Sequence, residues 1–357
     1  MTATNLFKPI YETNEDISRL LGEIDSLESL ISASALFRDF LRQSWQEWRQ
    51  ESVCSAFRFQ RWGLEPDEVT AYLNGNLIEN SGAARVQVRI KNYAAVLDYL
   101  RNLQPTAELA LADLSAIHNQ LRSGVGEGDI FAGQIRTRFT AIYKPNGRDV
   151  KFYLPSPRDL DGYLKALLDW LNAHDHNSHA FVRAAIAHHR LLELRPFQQD
   201  NGKVARLFFR RTVVSNLFPW RSLLPYESIF AKDRVRYYHL LDSYDHPHMR
   251  FEERTSPKLT EWITYHLEGI SDLLNVFLEH LSSHVPLRHP IDTLNTRQRN
   301  ALKYVKRNGY ISNREYRDRN GVGRYTAFCE LRDLVDKKFL IPSCTRGRSV
   351  VYYDPSK

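Results

Sequence analysis

The chain has 357 residues, 43% of them apolar and 25% charged, and a formal net charge of +7. A chain of this length can bury a sizeable core and is expected to hold two or three domains. No apolar run is long enough to span a bilayer, and the start MTATNLFKPIYETNED carries acids where a secretory signal carries basic residues, so a soluble cytoplasmic protein with no membrane partner is expected.

From Glu15 to about Asn80 the apolar residues fall at three- and four-residue spacing, which predicts helices. Pro66 followed by acids marks a further helix start, with Gly75 near its end. KNYAAVLDYLRNL and ELALADLSAIHNQLRSG are amphipathic, and the second runs out at Gly124. Phe139, Ala141 and Tyr143 alternate with polar residues, KPNG is a turn signal, and Val150, Phe152 and Leu154 resume the alternation, so a β-hairpin is predicted. His174, Asp175, His176 and His179 fall close together without an ordered face, and a solvated connector is expected there rather than a metal site.

Residues 181–217 are the centre of the pattern. Phe181, Val182, Ala184, Ala185, Ile186, Ala187, Leu191, Leu192 and Leu194 put apolar groups on almost every face, as in a helix buried inside a bundle. Pro196 stops that helix, Gln198 to Gly202 supply turn chemistry, and a second apolar pattern opens at Val204. A loop ending on a helix N-terminus, with a glycine and with Lys203 and Arg206 one turn apart, is a plausible anion site, and phosphate is the natural ligand class.

RPFQQDNGKVAR (195–206) resembles the signature of the Fic (Fido) family, H-P-F-x-D/E-G-N-G-R-x-x-R, after a core helix that often carries a His like His188. Pro196, Phe197, Asn201, Gly202 and Arg206 match. Arg195 stands at the family's catalytic His, Gln199 at its acidic metal ligand, Asp200 at a Gly and Lys203 at an Arg. Gly133, Gln134 and Arg136, then Tyr153, Leu154, Pro155 and Pro157, are similar to the strings that open and close the family's hairpin flap, and IHNQL with His118 fits the helix before them. The resemblance covers roughly Asn92 to Pro219. It implies ATP and Mg²⁺ as cofactors and AMP transfer to Ser, Thr or Tyr of a protein target held at the flap. Phe197, Asn201, Gly202, Lys203 and Arg206 would bind nucleotide, Gln199 and Asp200 the metal, and Arg195 would occupy the position of the base.

A guanidinium stays protonated and has no acceptor lone pair, so Arg195 cannot serve as that base. Gln199 is a poorer Mg²⁺ ligand than a carboxylate, and Asp200 substitutes only if the loop shifts register by one residue. The family's inhibitory string, S/T-x-x-x-E-G/N, is most nearly matched by Ser55 to Gln60; Phe59 stands where the Glu pairs with the last motif Arg, so that form of inhibition has no evident means here, and Phe57 and Phe59 are expected simply to pack in the core.

Beyond His284, Pro286 and Pro290 mark a linker. Residues 285–357 hold sixteen Lys or Arg against seven Asp or Glu, a net of +9, which leaves −2 for the rest. Helices from Thr296, Ser312 and Arg324, followed by strands at Ile341 to Cys344 and Ser349 to Tyr353, read as a winged helix-turn-helix and resemble the one appended to many bacterial Fic proteins. Arg324, Tyr325, Thr326 and Arg332 would meet base edges and Arg346 and Arg348 phosphates. Cys54, Cys329 and Cys344 are isolated and odd in number, and each is expected to be a small buried hydrophobe.

The expected fold is mainly α: an N-terminal helical segment (1–90), a Fic-fold helical bundle with a short β-hairpin flap (91–284) and a small winged helix-turn-helix domain (285–357). Three functions stay open. The first is a DNA-binding regulator whose Fic pocket binds a nucleotide or phosphate ligand but is impaired in AMP transfer. The second is a working nucleotidyltransferase in which His188 or Asp200 replaces the base, against which stands the apolar surround of His188. The third is a non-catalytic scaffold or antitoxin-like subunit. The homodimer usual in the family is left open.

Overall fold

The structure, a computed structural model, describes residues 7–33, 37–75, 81–103, 108–126, 129–144, 147–173, 178–214, 218–241, 251, 258–284, 294–337, 339–343 and 350–353. Contacts divide the chain into two units, residues 1–282 and 283–357. Both are mostly helical. No described helix is long and apolar enough to cross a membrane.

In chain order the first unit contains α1 (Glu15–Ala33), α2 (Phe37–Phe59), α3 (Pro66–Leu73), α4 (Ser81–Asn102), α5 (Leu111–Arg122), strands β1 (Ala141–Tyr143) and β2 (Val150–Tyr153), α6 (Pro157–Asn172), α7 (Ala180–Leu194), α8 (Asn201–Val213), α9 (Glu227–Lys232), α10 (Arg234–Leu241) and α11 (Leu259–His284). The pair α7 and α8 is its centre. Phe181, Val182, Ala184 to Ala187, Leu191 and Leu194 of α7 are buried, as are Val204, Ala205, Leu207, Phe208 and Phe209 of α8. A helix apolar on so many faces is stable only when other helices cover all of them.

Charged residues also bind this core together. On α8 the buried Arg210 donates to Glu227 Oε2 (2.7 Å), Ser52 Oγ (2.9 Å) and Ser222 O (2.7 Å), while Tyr93 Oη donates to the other Glu227 oxygen (2.9 Å). Arg221 grips both oxygens of the buried Glu28, each at 2.6 Å. A buried ion pair offsets its desolvation only when further hydrogen bonds satisfy it, and both pairs meet that condition or come near it. They fix α1, α2, α4 and α9 around α8.

The hairpin is present but short. β1 and β2 pair antiparallel, Ala141 opposite Tyr153 and Tyr143 opposite Val150, with an irregularity between Ile142 and Tyr143. Phe139 lies just outside the ladder, which Leu154 N–H to Thr140 O (3.1 Å) extends at one end and Lys144 N–H to Asp149 O (2.8 Å) at the other. Pro145 and Asn146 of the expected turn lie outside the described residues; Gly147 takes a φ of +68°, and its N–H donates to Lys144 O.

Of the histidine group between α6 and α7, His174, Asp175 and His176 lie outside the described residues. His179 is not a solvated connector: its Nδ1 accepts from Phe181 N–H as the N-cap of α7, and its Nε2 lies 3.3 Å from Asp25.

The second unit runs α12 (Thr296–Asn308), β3 (Tyr310–Ser312), α13 (Asn313–Asn320), α14 (Arg324–Asp336), β4 (Ile341–Pro342) and β5 (Val351–Tyr353), with β5 between β3 and β4 in an antiparallel sheet. Asn295 with Gln298 and Ser312 with Glu315 form reciprocal caps that start α12 and α13. Gly321, at φ +63°, ends α13. Ala301, Val305, Ile311, Tyr316, Ala327, Leu331, Leu334 and Leu340 form a core of its own. The strands are shorter than the sequence suggests, and β3 was not anticipated. Cys54 is buried as expected, Cys329 is exposed on α14, and Cys344 lies outside the described residues.

Candidate functional site

The turn between α7 and α8 is held by its own polar groups. Arg195 caps α7 in the left-handed region (φ +43°), its N–H donating to Leu191 O, and Pro196 prevents continuation. Asn201 then closes the loop: its Oδ1 accepts from Phe197 N–H (2.8 Å) and its Nδ2 donates to Phe197 O (2.7 Å). Below, the Phe197 ring stacks on His118, with centroids 4.1 Å apart. His118 Nδ1 accepts from Gly133 N–H (2.9 Å), and burial above all lowers its pKa to about 4.

Arg136 ties the flap to this loop. Its backbone N–H donates to Pro196 O (2.8 Å), and its guanidinium to the carbonyls of Arg195 (2.9 Å), Arg138 (3.1 Å) and Pro155 (2.7 Å). One buried side chain therefore fixes both roots of the hairpin and the end of α7.

Three charged groups meet at the start of α8. Asp200, left-handed at φ +58°, accepts from Lys203 Nζ at one oxygen (2.9 Å) and from Arg122 at the other (3.2 Å); the same Arg122 nitrogen lies 3.2 Å from Gln199 Oε1. Burial works to raise the Asp200 pKa, but Lys203 and Arg122 hold it below the usual carboxylate range. Desolvation lowers that of Lys203, opposed by Asp200. Lys203 is only 7% exposed.

Arg206, 3% exposed, lies under an aromatic lid, its guanidinium carbon 4.4 Å from the centroid of Phe59. Its other neighbour is Tyr237, the end of a hydrogen-bonded chain whose tautomers are fixed by one carbonyl. Trp262 O can only accept, so His266 Nδ1 (2.8 Å away) carries the proton and His266 Nε2 accepts from His188 Nδ1 (3.0 Å). His188 Nε2 is then left to accept from Tyr237 Oη–H at 3.1 Å. Burial drives the pKa of both histidines down, His266 to about 3, so both are neutral. His188 is a packed member of this chain, with no open side toward a substrate.

Arg195 is not among the partners of Asp200 or Lys203, and its electrostatic neighbours are Tyr237 and Tyr238. Its Nε donates to Leu192 O (3.3 Å), and its side chain lines a cavity of about 50 Å³ with Phe152, His189, Leu192, Glu193, Leu241 and Phe251. Of the residues the sequence singled out, Gln199, Asp200 and Lys203 come together, Asn201 is occupied in closing the loop, and Arg206 is beneath Phe59. Arg122, Tyr237 and His266 were missed. Arg122 reads in the sequence as a basic residue complementing a helix C-terminus, and nothing nearby marks the other two.

In the second unit Arg324, Tyr325, Thr326 and Arg332 are all exposed on α14, Tyr325 at 79%. Arg346 and Arg348 lie outside the described residues. Phe328, missed in the sequence, shares their face and is exposed. Arg324, Tyr325 and Phe328 line a groove of about 840 Å³ with Asn313, Arg314, Arg317, Val350 and Tyr352.

Residues 108–212, which contain α5, the hairpin, α7 and nearly all of α8, match the model of the Fic/DOC family. That stretch, under a third of the chain, is what carries the likeness to Fic/DOC domains. The chain is 32% identical over 199 residues to a protein adenylyltransferase Fic of Nematostella vectensis and 34% identical over 133 residues to protein adenylyltransferase fic-1 of Caenorhabditis elegans. Those matches take in 54% and 37% of this chain and 37% and 23% of the relatives, so the chain spans little more than a third of the first relative's length and under a quarter of the second's. A crystal structure of a Fic family protein from Desulfovibrio desulfuricans G20 shares its fold over 98% of this chain and 99% of that one, with a TM-score of 0.62 and 19% identity.

Proposed function

We propose that this protein is a DNA-binding regulator whose Fic loop takes a phosphate-bearing ligand, ATP by resemblance, and is impaired in AMP transfer. The row Arg324, Tyr325, Phe328 and Arg332 carries the reading. These side chains lie along one exposed face of α14, while Ala327, Leu331 and Leu334 on the other face are core. A helix whose free face is cationic and aromatic is built to meet an anionic surface with stackable or methyl-bearing groups. The order helix, strand, helix, helix, strand, strand is that of a winged helix-turn-helix, with α14 in the recognition position. The +9 balance of residues 285–357 supplies the sequence-independent attraction to phosphates.

Arg195 supports the impaired transfer. The side chain at the position of the family's base has no acceptor lone pair, and the loss of general-base catalysis costs roughly 10²–10⁴-fold in rate. The loop nevertheless keeps an excess of cations, because Arg122, Lys203 and Arg206 outnumber Asp200. The exposed aromatics Phe139, Tyr143 and Tyr153 on one face of the flap offer a place for an extended peptide.

The test is a mobility-shift titration of the full chain on the fragment upstream of its own coding region and on an unrelated duplex. A specific shift that survives Arg195→Ala and is lost in Arg324→Ala is the expected result; no shift at low salt removes the reading.

A second reading, an active protein adenylyltransferase, is favoured by the names of the curated relatives. Transfer of α-phosphate label from ATP to the wild-type chain or to a lysate protein would establish it and overturn the reading of Arg195.

A further inference from the structure

We infer that Arg122 occupies the cation position of the Fic loop, so that the loop binds its phosphate ligand without a divalent metal. The ligand class rests on the proposed function; the occupancy of the cation position by Arg122 does not.

The two oxygen donors offered by consecutive residues, Gln199 Oε1 and Asp200 Oδ2, both lie 3.2 Å from a single nitrogen of Arg122. The remaining Asp200 oxygen is held by Lys203 Nζ at 2.9 Å. Mg²⁺ requires oxygens at about 2.0–2.1 Å in near-octahedral array. An ion at that distance from the same two oxygens would fall within contact distance of a guanidinium of like charge, so the residues present do not fit the metal.

Arg122 is also fixed in place. It is the last residue of α5, whose C-terminus is pinned where Asn92 Nδ2 donates to Leu121 O (3.3 Å) and Ser123 O (2.6 Å). It is 5% exposed, and swinging away would leave the buried Asp200 carboxylate with one cation instead of two.

The charge is replaced in part. Asp200 with Arg122 and Lys203 sums to one positive charge, against two for a carboxylate, a divalent ion and the arginine that the resemblance puts at position 203. A guanidinium has five N–H donors, so one nitrogen engaged by Gln199 and Asp200 leaves others for phosphate oxygens. The loop thus keeps a net positive charge for a polyphosphate and supplies it from the chain.

The experiment uses the full chain and two probes, Mn²⁺ alone, followed by electron paramagnetic resonance, and ATP, titrated calorimetrically in EDTA and in Mg²⁺. Wild type is expected to take up no Mn²⁺ that Asp200→Asn removes and to bind ATP with a Kd that changes by less than about tenfold between the two conditions. Arg122→Ala and Arg122→Gln are expected to gain a Mn²⁺ site that a second substitution, Asp200→Asn, removes, and to bind ATP more weakly in EDTA than in Mg²⁺.

Wild-type Mn²⁺ binding that Asp200→Asn abolishes overturns the inference, as does ATP binding that requires Mg²⁺ in the wild type. If wild type binds neither probe while Arg122→Ala gains Mn²⁺, the place of Arg122 stands and the nucleotide reading of the pocket falls. These wild-type measurements decide the matter even where a variant fails to fold.

Discussion

His118, His188 and His266 are buried and neutral, each with its pKa driven below the ordinary value first of all by desolvation. In the unfolded chain they titrate near 6.5, so below that pH unfolding takes up protons that the native state refuses. Their contribution is therefore intact above about pH 6.5 and is lost as pH falls toward the depressed folded values, with His179 acting in the same direction. Each proton gives a slope of about 1.4 kcal/mol per pH unit, so three give about 4 kcal/mol per unit near pH 5 as an upper bound. Urea midpoints between about pH 7 and pH 5 measure this, and a flat series would mean that these rings are protonated or solvated in the folded state. The sequence showed His118 and His188 but not what neutralises them. His266 stands 78 positions beyond His188, a separation at which no periodicity links two residues. Lys203 and Asp200 were nominated for different ligands, although three residues apart at the start of a helix they are placed to pair with each other. Arg122 was illegible because its partners lie 77 and 78 positions further along the chain.

The elements set by local chemistry were the most legible. The apolar pattern of 181–194 gave α7 and its end at Pro196, and α12, α13 and α14 start within a residue of their expected positions because caps and glycines mark them. The strands were not legible to the same degree. β3 is three residues between two helices, too short for alternation to show, and β1 ends where pairing, not propensity, stops. Helix packing was invisible too, as Gly269 shows. A glycine inside a helix ordinarily costs about 1 kcal/mol relative to alanine, so sequence alone favours Gly269→Ala as stabilising. On α11, however, an added Cβ would lie 2.2 Å from Ile229 Cγ2 on α9, a contact that backbone or side chain must move to relieve. Overpacking of this kind typically costs about 1–3 kcal/mol, which outweighs the propensity gain. Gly269→Ala is therefore expected to lower the denaturation midpoint, and the same change made in an Ile229→Ala background should cost less or even stabilise. A midpoint that rises in the wild-type background would show that α9 and α11 are free to separate.

At the scale of the whole molecule the charge is divided, not spread: residues 285–357 carry +9 and the remainder −2. A protein using that imbalance to hold nucleic acid must show it in the salt dependence of binding, because each neutralised phosphate releases counterion. Four described arginines, Arg314, Arg317, Arg324 and Arg332, lie in the groove or along the face of α14. Four phosphate contacts give a slope of log K against log salt of about −3.6, or a loss of about 10²-fold in affinity between 50 and 200 mM salt. Each Arg→Ala change that removes a phosphate contact should flatten that slope by about 1, uniformly across sequences, whereas a contact to a base edge should alter discrimination by about 1–3 kcal/mol and leave the slope nearly unchanged. Arg324, in the first turn of α14, is expected to behave in the second way and Arg314 on α13 in the first. Fluorescence-anisotropy titrations of the full chain and the two variants at several salt concentrations separate these cases. A slope near zero would mean that the cationic face meets something other than a nucleic acid, because no duplex can be held through four arginines without displacing its counterions.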